Sequence, residues 1–381
     1  MEAIIQDVVS KRDEKKMRKR KDSKNVEFVS DTDDELKRIV ESVKTSIKVV
    51  GTGGAGNNTI NRLMDMGLEG GDIIAINTDA LDLLYTKAMT KILIGASITG
   101  GIGAGNDPDI GEQCADVDVA KISDVLTGSD MIFITCGLGG GTGTGSAPVI
   151  AEVSKELGAL TIAVVTLPFT VEGRKRAQNA LTGLKKLRKH ADTVIVIPND
   201  RLLDIAPNLP LDDAFKVSDE LLANAVKGIT EMVTKAGLVN LDFADVRAVM
   251  KDGGTAMIGL GSSTRDTSME ERARESVEKA LRSPLLDTDI SSAKGALINI
   301  IGSKDMTLAE AEEIVKIISE NIDPNAEIIW GAQIDENLDR NVIKTLLILA
   351  GVKVPTFEKE LEERIESGEV EKHLDIGLRE I

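Results

Sequence analysis

Two glycine-rich segments have the residue types and spacing that bind phosphate groups. The first is GTGGAGNN at residues 51–58, where glycines 51, 53 and 56 match the spacing G-x-G-x-x-G. The second is GLGGGTGTG at residues 137–145, and both segments follow a short apolar stretch. Glycine lets phosphate oxygens approach backbone N–H groups closely, and a helix that follows adds the positive end of its dipole. The two segments together predict a site for the phosphates of a nucleotide.

A third glycine cluster at residues 100–106 is predicted to close over the terminal phosphate. Three such loops after successive strands suit a triphosphate better than a dinucleotide, which needs one. The Walker pattern G-x-x-x-x-G-K-[ST] does not occur, so backbone N–H groups, helix dipoles and a bound cation must meet the phosphate charge. We expect this cation to be Mg²⁺. A flexible loop without a ligand is the structural alternative, and the entropy cost of so many glycines argues against it.

Polar and aromatic residues further along the chain could select the base and hold the sugar. Phe215 and Asp219 are four residues apart in a predicted helix and so share one face. A ring can stack on a purine, and a carboxylate can accept hydrogen bonds from guanine N1–H and N2–H₂, a pair of donors that adenine lacks. Asn199 could add a contact, and Glu172 and Arg176 lie where ribose and phosphate are expected. The alternatives are a core role for Phe215 and a surface ion pair for Glu172 with Arg176.

Short apolar strands alternate with helical segments in the part of the chain that must position these residues. Each strand is β-branched and almost entirely apolar, as strands buried on both faces of a parallel sheet must be. The predicted strands are residues 47–50, 73–76, 91–94, 131–135, 160–166 and 193–197. The predicted fold class is therefore α/β, with a doubly wound parallel sheet that carries the GTP-binding loops at one edge.

A long central helix is predicted to begin after Pro210 and to end at Gly237, spanning about 39 Å. Beyond it, apolar runs and two helical segments near 268–282 and 307–321 predict a smaller C-terminal α/β domain. The predicted organisation is an amphipathic and basic N-terminal extension, a GTP-binding domain, the central helix, a C-terminal α/β domain and an acidic tail. Their predicted bounds are residues 1–45, 46–210, 211–237, 238–352 and 353–381.

Composition limits the class of protein. A length of 381 residues suggests two domains plus tails, and a net charge of -17 argues against nucleic acid as a partner. No stretch approaches the ~20 apolar residues of a membrane span, and no signal peptide is expected. Cys114 and Cys136 offer neither a disulfide framework nor metal spacing. We therefore expect a cytoplasmic protein, whose basic arm either contacts an anionic surface or acidic partner or is simply solvated.

Several segments resemble the tubulin/FtsZ family. GGGTGTG at residues 139–145 is similar to the signature loop of that family, and NLDFADV at 240–246 is similar to the synergy loop of FtsZ. INTDA at 76–80, LPFTVEGRKR at 167–176 and IPNDRLL at 197–203 extend the resemblance. It implies a GTP-driven head-to-tail homopolymer that forms the division ring at mid-cell, on the inner face of the membrane. It also implies a GTPase-activating role for the C-terminal domain at residues 238–352, and adaptor proteins that tether the ring.

The resemblance also implies roles for individual residues. Asn240, Asp242 and Asp245 would act catalytically on the GTP of the neighbouring subunit. The residues predicted to contact GTP or GDP are Gly53, Gly54, Ala55, Gly56, Asn57, Asn58, Gly103, Ala104, Gly105, Gly140, Gly141, Thr142, Gly143, Thr166, Pro168, Glu172, Arg176, Asn199, Phe215 and Asp219. Gly100 stands where many family members have Arg, so closure over the γ-phosphate is expected to differ. Residues 374–378 are the candidate adaptor-binding segment.

The position of Asp242 and Asp245, just after the long helix, predicts a site shared between subunits. The helix carries the chain about 39 Å from the glycine loops, so these carboxylates could reach only the nucleotide of a subunit stacked head to tail. Head-to-tail contacts of this kind join different surfaces of the two subunits. They do not close into a ring of subunits, so they propagate a filament. The carboxylates would orient the attacking water while cation and backbone donors stabilise the γ-phosphate charge. Helix capping is their structural alternative.

Two other functions compete with this interpretation. An NAD-dependent oxidoreductase would use residues 51–56 but would leave the second glycine loop without a role. A tubulin-like filament that controls cell shape would have the same chemistry, and only localisation and depletion in dividing cells would distinguish it from a division protein.

Overall fold

The computed structural model describes residues 45–205, 210–235, 237–239, 241–286, 289–353 and 356–367. The predicted N-terminal extension, apart from Thr45, lies outside the described residues. The same holds for the catalytic candidate Asn240 and for the candidate adaptor-binding segment 374–378.

Six parallel strands form the N-terminal half of a ten-stranded sheet. They are β1 (Ile47–Thr52), β2 (Asp72–Asn77), β3 (Thr90–Leu93), β4 (Met131–Gly137), β5 (Leu160–Leu167) and β6 (Thr193–Pro198). Their order is β3-β2-β1-β4-β5-β6, which is the order of a doubly wound nucleotide-binding fold. All six strands predicted from the apolar runs are confirmed.

Helices cover both faces of these strands. They are α1 (Gly53–Asp65), α2 (Ala80–Tyr85), α3 (Ala96–Thr99), α4 (Pro108–Val117), α5 (Val119–Leu126), α6 (Thr142–Glu156), α7 (Arg174–His190) and α8 (Asp200–Ile205), with a 3₁₀ turn at Thr170–Glu172. Adjacent residues of β1 enter different cores, since Val49 packs in the cluster that includes α1 and Val50 in the cluster that includes α6. A strand with two buried faces must be apolar throughout, which explains why these strands could be predicted from apolar runs in the sequence.

The long helix α9 (Leu211–Thr234) spans about 36 Å. It ends at Thr234 and not at Gly237, because the chain leaves the helix to contact the strand β9 (Glu327–Ile334). There the backbone N–H of Leu238 donates to the carbonyl oxygen of Ala332 at 2.7 Å, and Val239 forms an isolated bridge with the same residue.

The C-terminal half continues the same sheet. Its elements are α10 (Phe243–Met250), β7 (Gly254–Ser262), α11 (Arg272–Leu281), a 3₁₀ turn (Ile290–Ser292), β8 (Gly295–Gly302), α12 (Leu308–Ser319), β9, β10 (Ile343–Ala350) and α13 (Thr356–Ser367). β7 pairs with β6 over a short parallel stretch, and β10 lies antiparallel between β7 and β8. The predicted smaller α/β layer is therefore present, while the exact bounds of the domains stay a prediction.

The helix α13 lies within the predicted acidic tail and returns to the N-terminal half. Both carboxylate oxygens of Glu358 accept hydrogen bonds from the guanidinium of Arg188 on α7, at 2.8 and 2.7 Å. Lys185 on α7 pairs with Glu362 at 2.8 Å, and Arg201 on α8 pairs with Glu360 at 3.2 Å. The end of the described chain is thus held against the helices that follow β5 and β6. Across the described part of the chain, the helices are all too short or too polar to cross a bilayer.

Candidate functional site

A cavity of about 540 Å³ opens at the carboxyl ends of the parallel strands. It is bounded by the three glycine loops, the loops after β5 and β6, and the first turns of α9. Every residue predicted to contact the nucleotide lines this cavity except Gly56 and Asn57. Those two lie behind the first loop: a Cβ at Gly56 would sit 2.5 Å from the carbonyl oxygen of Thr135, and Asn57 is fully buried.

The first two glycine loops contact each other at the start of two helices. Gly53 has a φ of +70°, and a Cβ there would lie 2.7 Å from the backbone nitrogen of Gly143. α1 begins at Gly53 and α6 begins at Thr142, and neither helix has a side-chain hydrogen bond from its N-cap residue. Two uncapped N-termini therefore direct backbone N–H groups and positive dipole ends into one cavity, an arrangement that suits a phosphate chain.

The third glycine loop is held against the segment that follows β2. The backbone N–H of Gly103 donates to the carbonyl oxygen of Thr78 at 3.2 Å, and that of Ala80 donates to Gly101 at 2.9 Å. Gly100 adopts a φ of +63° at the end of α3 and does not line the cavity. The structure thus gives Gly100 a role in a turn, and its effect on closure over a γ-phosphate stays a prediction.

An amide and carboxylate cluster beside these loops was not singled out from the sequence. Asp82 lines the cavity, and its Oδ2 accepts hydrogen bonds from the side-chain amides of Asn77 at 2.6 Å and Asn57 at 3.1 Å. Burial raises the pKa of Asp82 above its usual value, and the two amide hydrogen bonds oppose this shift. Asn77 and Asp79 also line the cavity. The motif INTDA was the available signal, but no residue in it was assigned a role.

Phe215 and Asp219 lie at the other end of the cavity. Phe215 is 37% exposed and meets the buried ring of Phe169 edge-on, with 5.2 Å between ring centroids. The alternative that Phe215 belongs to the core is therefore wrong. Burial raises the pKa of Asp219 to about 7. Ser218 also lines the cavity, and the sequence reasoning missed it. Its position in the chain between Phe215 and Asp219 was the available signal.

The predicted ribose contacts form the ion pair that was their structural alternative. The guanidinium of Arg176 donates to Glu172 Oε2, while Oε1 of the same carboxylate accepts from the backbone N–H of Phe169 at 2.8 Å. Both side chains nevertheless line the cavity, so the ion pair forms part of its wall.

Asp242 and Asp245 form a reciprocal capping box at the start of α10. The N–H of Asp245 donates to Asp242 Oδ1 at 2.9 Å, and the N–H of Asp242 donates to Asp245 Oδ2 at 3.1 Å. The capping alternative is thus present. Neither residue lines the cavity, and α9 runs for about 36 Å between the cavity wall and this loop.

Comparison with known proteins decides the family. The family model for the GTPase domain of the Tubulin/FtsZ family matches residues 46–207, and the model for the C-terminal domain of the FtsZ family matches residues 254–353. "Cell division protein FtsZ 1" of Thermococcus kodakarensis is 58% identical over 343 residues, 90% of each chain. The chain belongs to the FtsZ family.

Other relatives of this FtsZ-family chain agree in sequence and in fold. "Cell division protein FtsZ" of Methanothermobacter thermautotrophicus is 58% identical over 341 residues, 90% of this chain and 88% of that protein. The solved FtsZ dimer of M. jannaschii superposes with a TM-score of 0.80 at 57% identity, over 85% of this chain and 93% of that one. CetZ2 from Haloferax volcanii shares the fold, with a TM-score of 0.74 at 23% identity.

Family membership confirms the resemblance and the predicted enzyme class, a GTPase. It also confirms the α/β architecture with a nucleotide-binding N-terminal half and a C-terminal domain. A GTPase domain is incompatible with the oxidoreductase alternative, which left the second glycine loop without a role.

Proposed function

We propose that this chain binds GTP in the cavity and hydrolyses it where one subunit contacts the next in a head-to-tail filament. The observation that carries the proposal is the separation of two groups that the reaction needs together. The glycine loops lie at one end of α9, and Asp242 with Asp245 lies beyond the other. A second subunit stacked along this direction brings its acidic loop to the open cavity of the first.

In this proposal the cavity residues bind and orient the nucleotide. The helix N-termini at Gly53 and Thr142 hold the phosphates, Phe215 stacks on the base, and Asp219 accepts from guanine N1–H and N2–H₂. Glu172 and Arg176 hold the ribose side. This assignment gives a function to both uncapped helix ends and to the exposed aromatic ring.

The residues beside the loops fit a Mg²⁺ ion bound with the phosphates. The described residues contain no group of three or more His, Cys, Asp or Glu side chains placed to hold a metal. Mg²⁺ bound with a nucleotide needs only one or two carboxylates, since phosphates and water supply its other ligands. Asp79 and Asp82 line the cavity and face the third and first loops, respectively. Such an ion would neutralise the charge of the phosphates.

The capping box is compatible with catalysis by the neighbouring subunit. Asp242 and Asp245 each use one carboxylate oxygen within the box, which leaves the second oxygen to orient water. Asp242 is exposed, so a neighbouring subunit could approach it without rearrangement of α10. The hydrogen bonds of the box hold the carboxylates in place before the subunits meet, as an efficient general base requires. Asn240 is proposed to act beside them.

The shared site predicts that GTP turnover per subunit depends on protein concentration. Below the concentration at which filaments form, each cavity lacks its partner carboxylates, and turnover per subunit should be near zero. Above it, turnover per subunit should rise steeply and then level off. Phosphate release measured over a protein dilution series, with light scattering in the same samples, tests this. A constant specific activity on dilution would refute the shared site.

We further propose that the filament forms the cell-division ring, since relatives at 58% identity are named cell division proteins. The ring would lie in the cytoplasm at mid-cell, on the inner face of the membrane, and adaptor proteins would tether it there. Fluorescent fusion protein in dividing cells should form a band at mid-cell, and depletion should give undivided cells. Normal division with altered cell shape would instead support the cell-shape alternative.

A further inference from the structure

A hydrogen bond between two buried side chains in the wall of the cavity sets the orientation of an amide group. The hydroxyl of Ser218 on α9 donates to Oδ1 of Asn199, which follows β6, at 2.7 Å. Ser218 is 3% exposed and Asn199 is 4% exposed, and both line the cavity. The bond joins the helix that carries Phe215 and Asp219 to the carboxyl end of β6.

The direction of the Ser218 hydroxyl differs from that of other hydroxyls on the same helix. Thr230 and Thr234 donate to the carbonyl oxygens of Val226 and Thr230, one turn back, at 2.8 and 2.9 Å. That is the usual choice for a hydroxyl within a helix. Ser218 instead gives its single proton to Asn199. Because Oδ1 of Asn199 faces Ser218 to accept this hydrogen bond, the amide nitrogen, which carries two N–H donors, points away from Ser218.

We propose that Ser218 is a specificity-determining positioning residue, which presents the amide nitrogen of Asn199 as a hydrogen-bond donor to the guanine base. This inference rests on the proposed binding of GTP in the cavity. Asp219 offers acceptors to N1–H and N2–H₂, and the atoms that flank these donors on the guanine edge, O6 and N3, are both acceptors. An oriented N–H donor therefore complements guanine on either side of Asp219.

The orientation of the Asn199 side-chain amide determines which base the cavity accepts. Adenine has an amino group in place of O6, so a fixed N–H donor directed at that position would meet another donor and reject adenine. Directed at N3, which is an acceptor in both purines, the same donor would add affinity without discriminating against adenine. Without the Ser218 hydroxyl, the amide of Asn199 is free to turn its oxygen toward the base, where it would repel O6 or N3. Adjacent residues on α9 would then set the two halves of the recognition pattern, Asp219 as acceptor and Ser218 through Asn199 as donor.

The test compares base analogues in the full-length protein and in Ser218→Ala. Equilibrium affinities are measured for GTP, for 6-thio-GTP, in which a weak acceptor replaces O6, and for 3-deaza-GTP, which lacks N3. The wild type should bind one analogue about 3- to 10-fold more weakly than GTP, the loss expected for one hydrogen bond. In Ser218→Ala the affinity for GTP should fall by a similar factor, and the penalty for that analogue should disappear.

Two further variants separate orientation from structure. Ser218→Thr keeps a hydroxyl and should restore most of the affinity and the analogue penalty. Ser154→Ala removes a buried hydroxyl that donates within α6 to Ile150 at 2.7 Å, and it should leave both quantities unchanged. Ser154→Ala should also leave turnover at saturating GTP within about twofold of its wild-type value, because Ser154 does not line the cavity.

The outcomes distinguish this inference from the proposed function. Equal analogue penalties in wild type and Ser218→Ala would overturn the role of Ser218 while leaving GTP binding intact. Equal affinity of the wild type for GTP and both analogues would show that Asn199 presents no donor and would also overturn it. Failure of the wild type to bind GTP at all would instead overturn the proposed function.

Discussion

The carboxyl group of Asp219 has a pKa raised to about 7 because burial in the cavity wall disfavours its charge. Guanine N1–H and N2–H₂ would stabilise the ionised form, so binding of GTP should lower this pKa and release a proton near neutral pH. In the nucleotide-free protein, the raised pKa of Asp219 affects the free energy of folding, which becomes less favourable as the pH rises. Protonated Asp219 favours the folded state below its unfolded pKa of about 4, and this stabilisation is lost as the pH rises through 7.

We therefore expect GTP affinity to depend on pH through Asp219. Between pH 8 and pH 6 the ionised fraction falls about 10-fold, and affinity should weaken by about the same factor. Asp219→Asn keeps an acceptor but cannot titrate, so it should bind more weakly at pH 8 and show a flatter profile. Because the phosphates of GTP also titrate, the decisive quantity is the ratio of the two affinities at each pH. A ratio that does not change between pH 6 and pH 8 would contradict this role.

At the scale of elements, the starts of α1 and α6 would allow phosphates to bind without a Walker lysine. Both helices begin without a side-chain cap and share the contact between Gly53 and Gly143, which leaves space for no side chain. The N–H groups of two first turns thus converge where a single helix would supply one set. In the proposed function, backbone N–H groups would bind the phosphates, and the side chains of Asp79 and Asp82 would lie at the border of that site.

The packing of α13 against α7 makes a prediction about stability. Glu358 is almost fully buried and pairs through both oxygens with Arg188, whereas Glu362 and its partner Lys185 are both more than 40% exposed. Glu358→Gln leaves Arg188 without its counter-charge and should lower the free energy of unfolding by about 2–4 kcal/mol. The matched variant Glu362→Gln should cost less than about 1 kcal/mol. Urea unfolding of both variants measures the difference, and equal losses would show that α13 does not bury the pair in solution.

At the scale of the whole molecule, the distance between the cavity and Asp242 separates binding from turnover. Asp242→Asn keeps a good N-cap residue at α10 and so should preserve stability. It should bind GTP normally, lose most turnover and give longer-lived filaments, because the neighbouring cavity loses its charged oxygen. Asp242→Ala should behave likewise, with about 1 kcal/mol less stability from the lost cap.

A matched capping variant tests whether that loss of turnover reflects structure alone. Thr307 begins α12 with the same kind of reciprocal capping box, formed with Glu310. Thr307→Ala should lower stability by about the same amount as Asp242→Ala and leave GTP turnover unchanged. If turnover in Asp242→Asn equals that of the wild type, the catalytic assignment is wrong.

Local pattern was enough to determine the fold class and much of the cavity from the sequence alone. Strands with two buried faces must be apolar along their whole length, so the six N-terminal strands stood out. Glycine loops after such strands necessarily meet at one edge of a parallel sheet, and Phe215 and Asp219 share a helix face through their spacing. Family signatures in the loops supplied the rest.

Contacts between residues far apart in the chain were decided only by the tertiary structure. The bond from Ser218 to Asn199, the two amides on Asp82 and the pairing of Arg188 with Glu358 leave no periodic trace in the sequence, because each depends on how separate elements pack. The raised pKa of Asp219 has the same origin, since burial is a property of the assembled wall. Residue types and spacing determined which chemistry was present, and packing decided the orientation and protonation of the groups that would perform it.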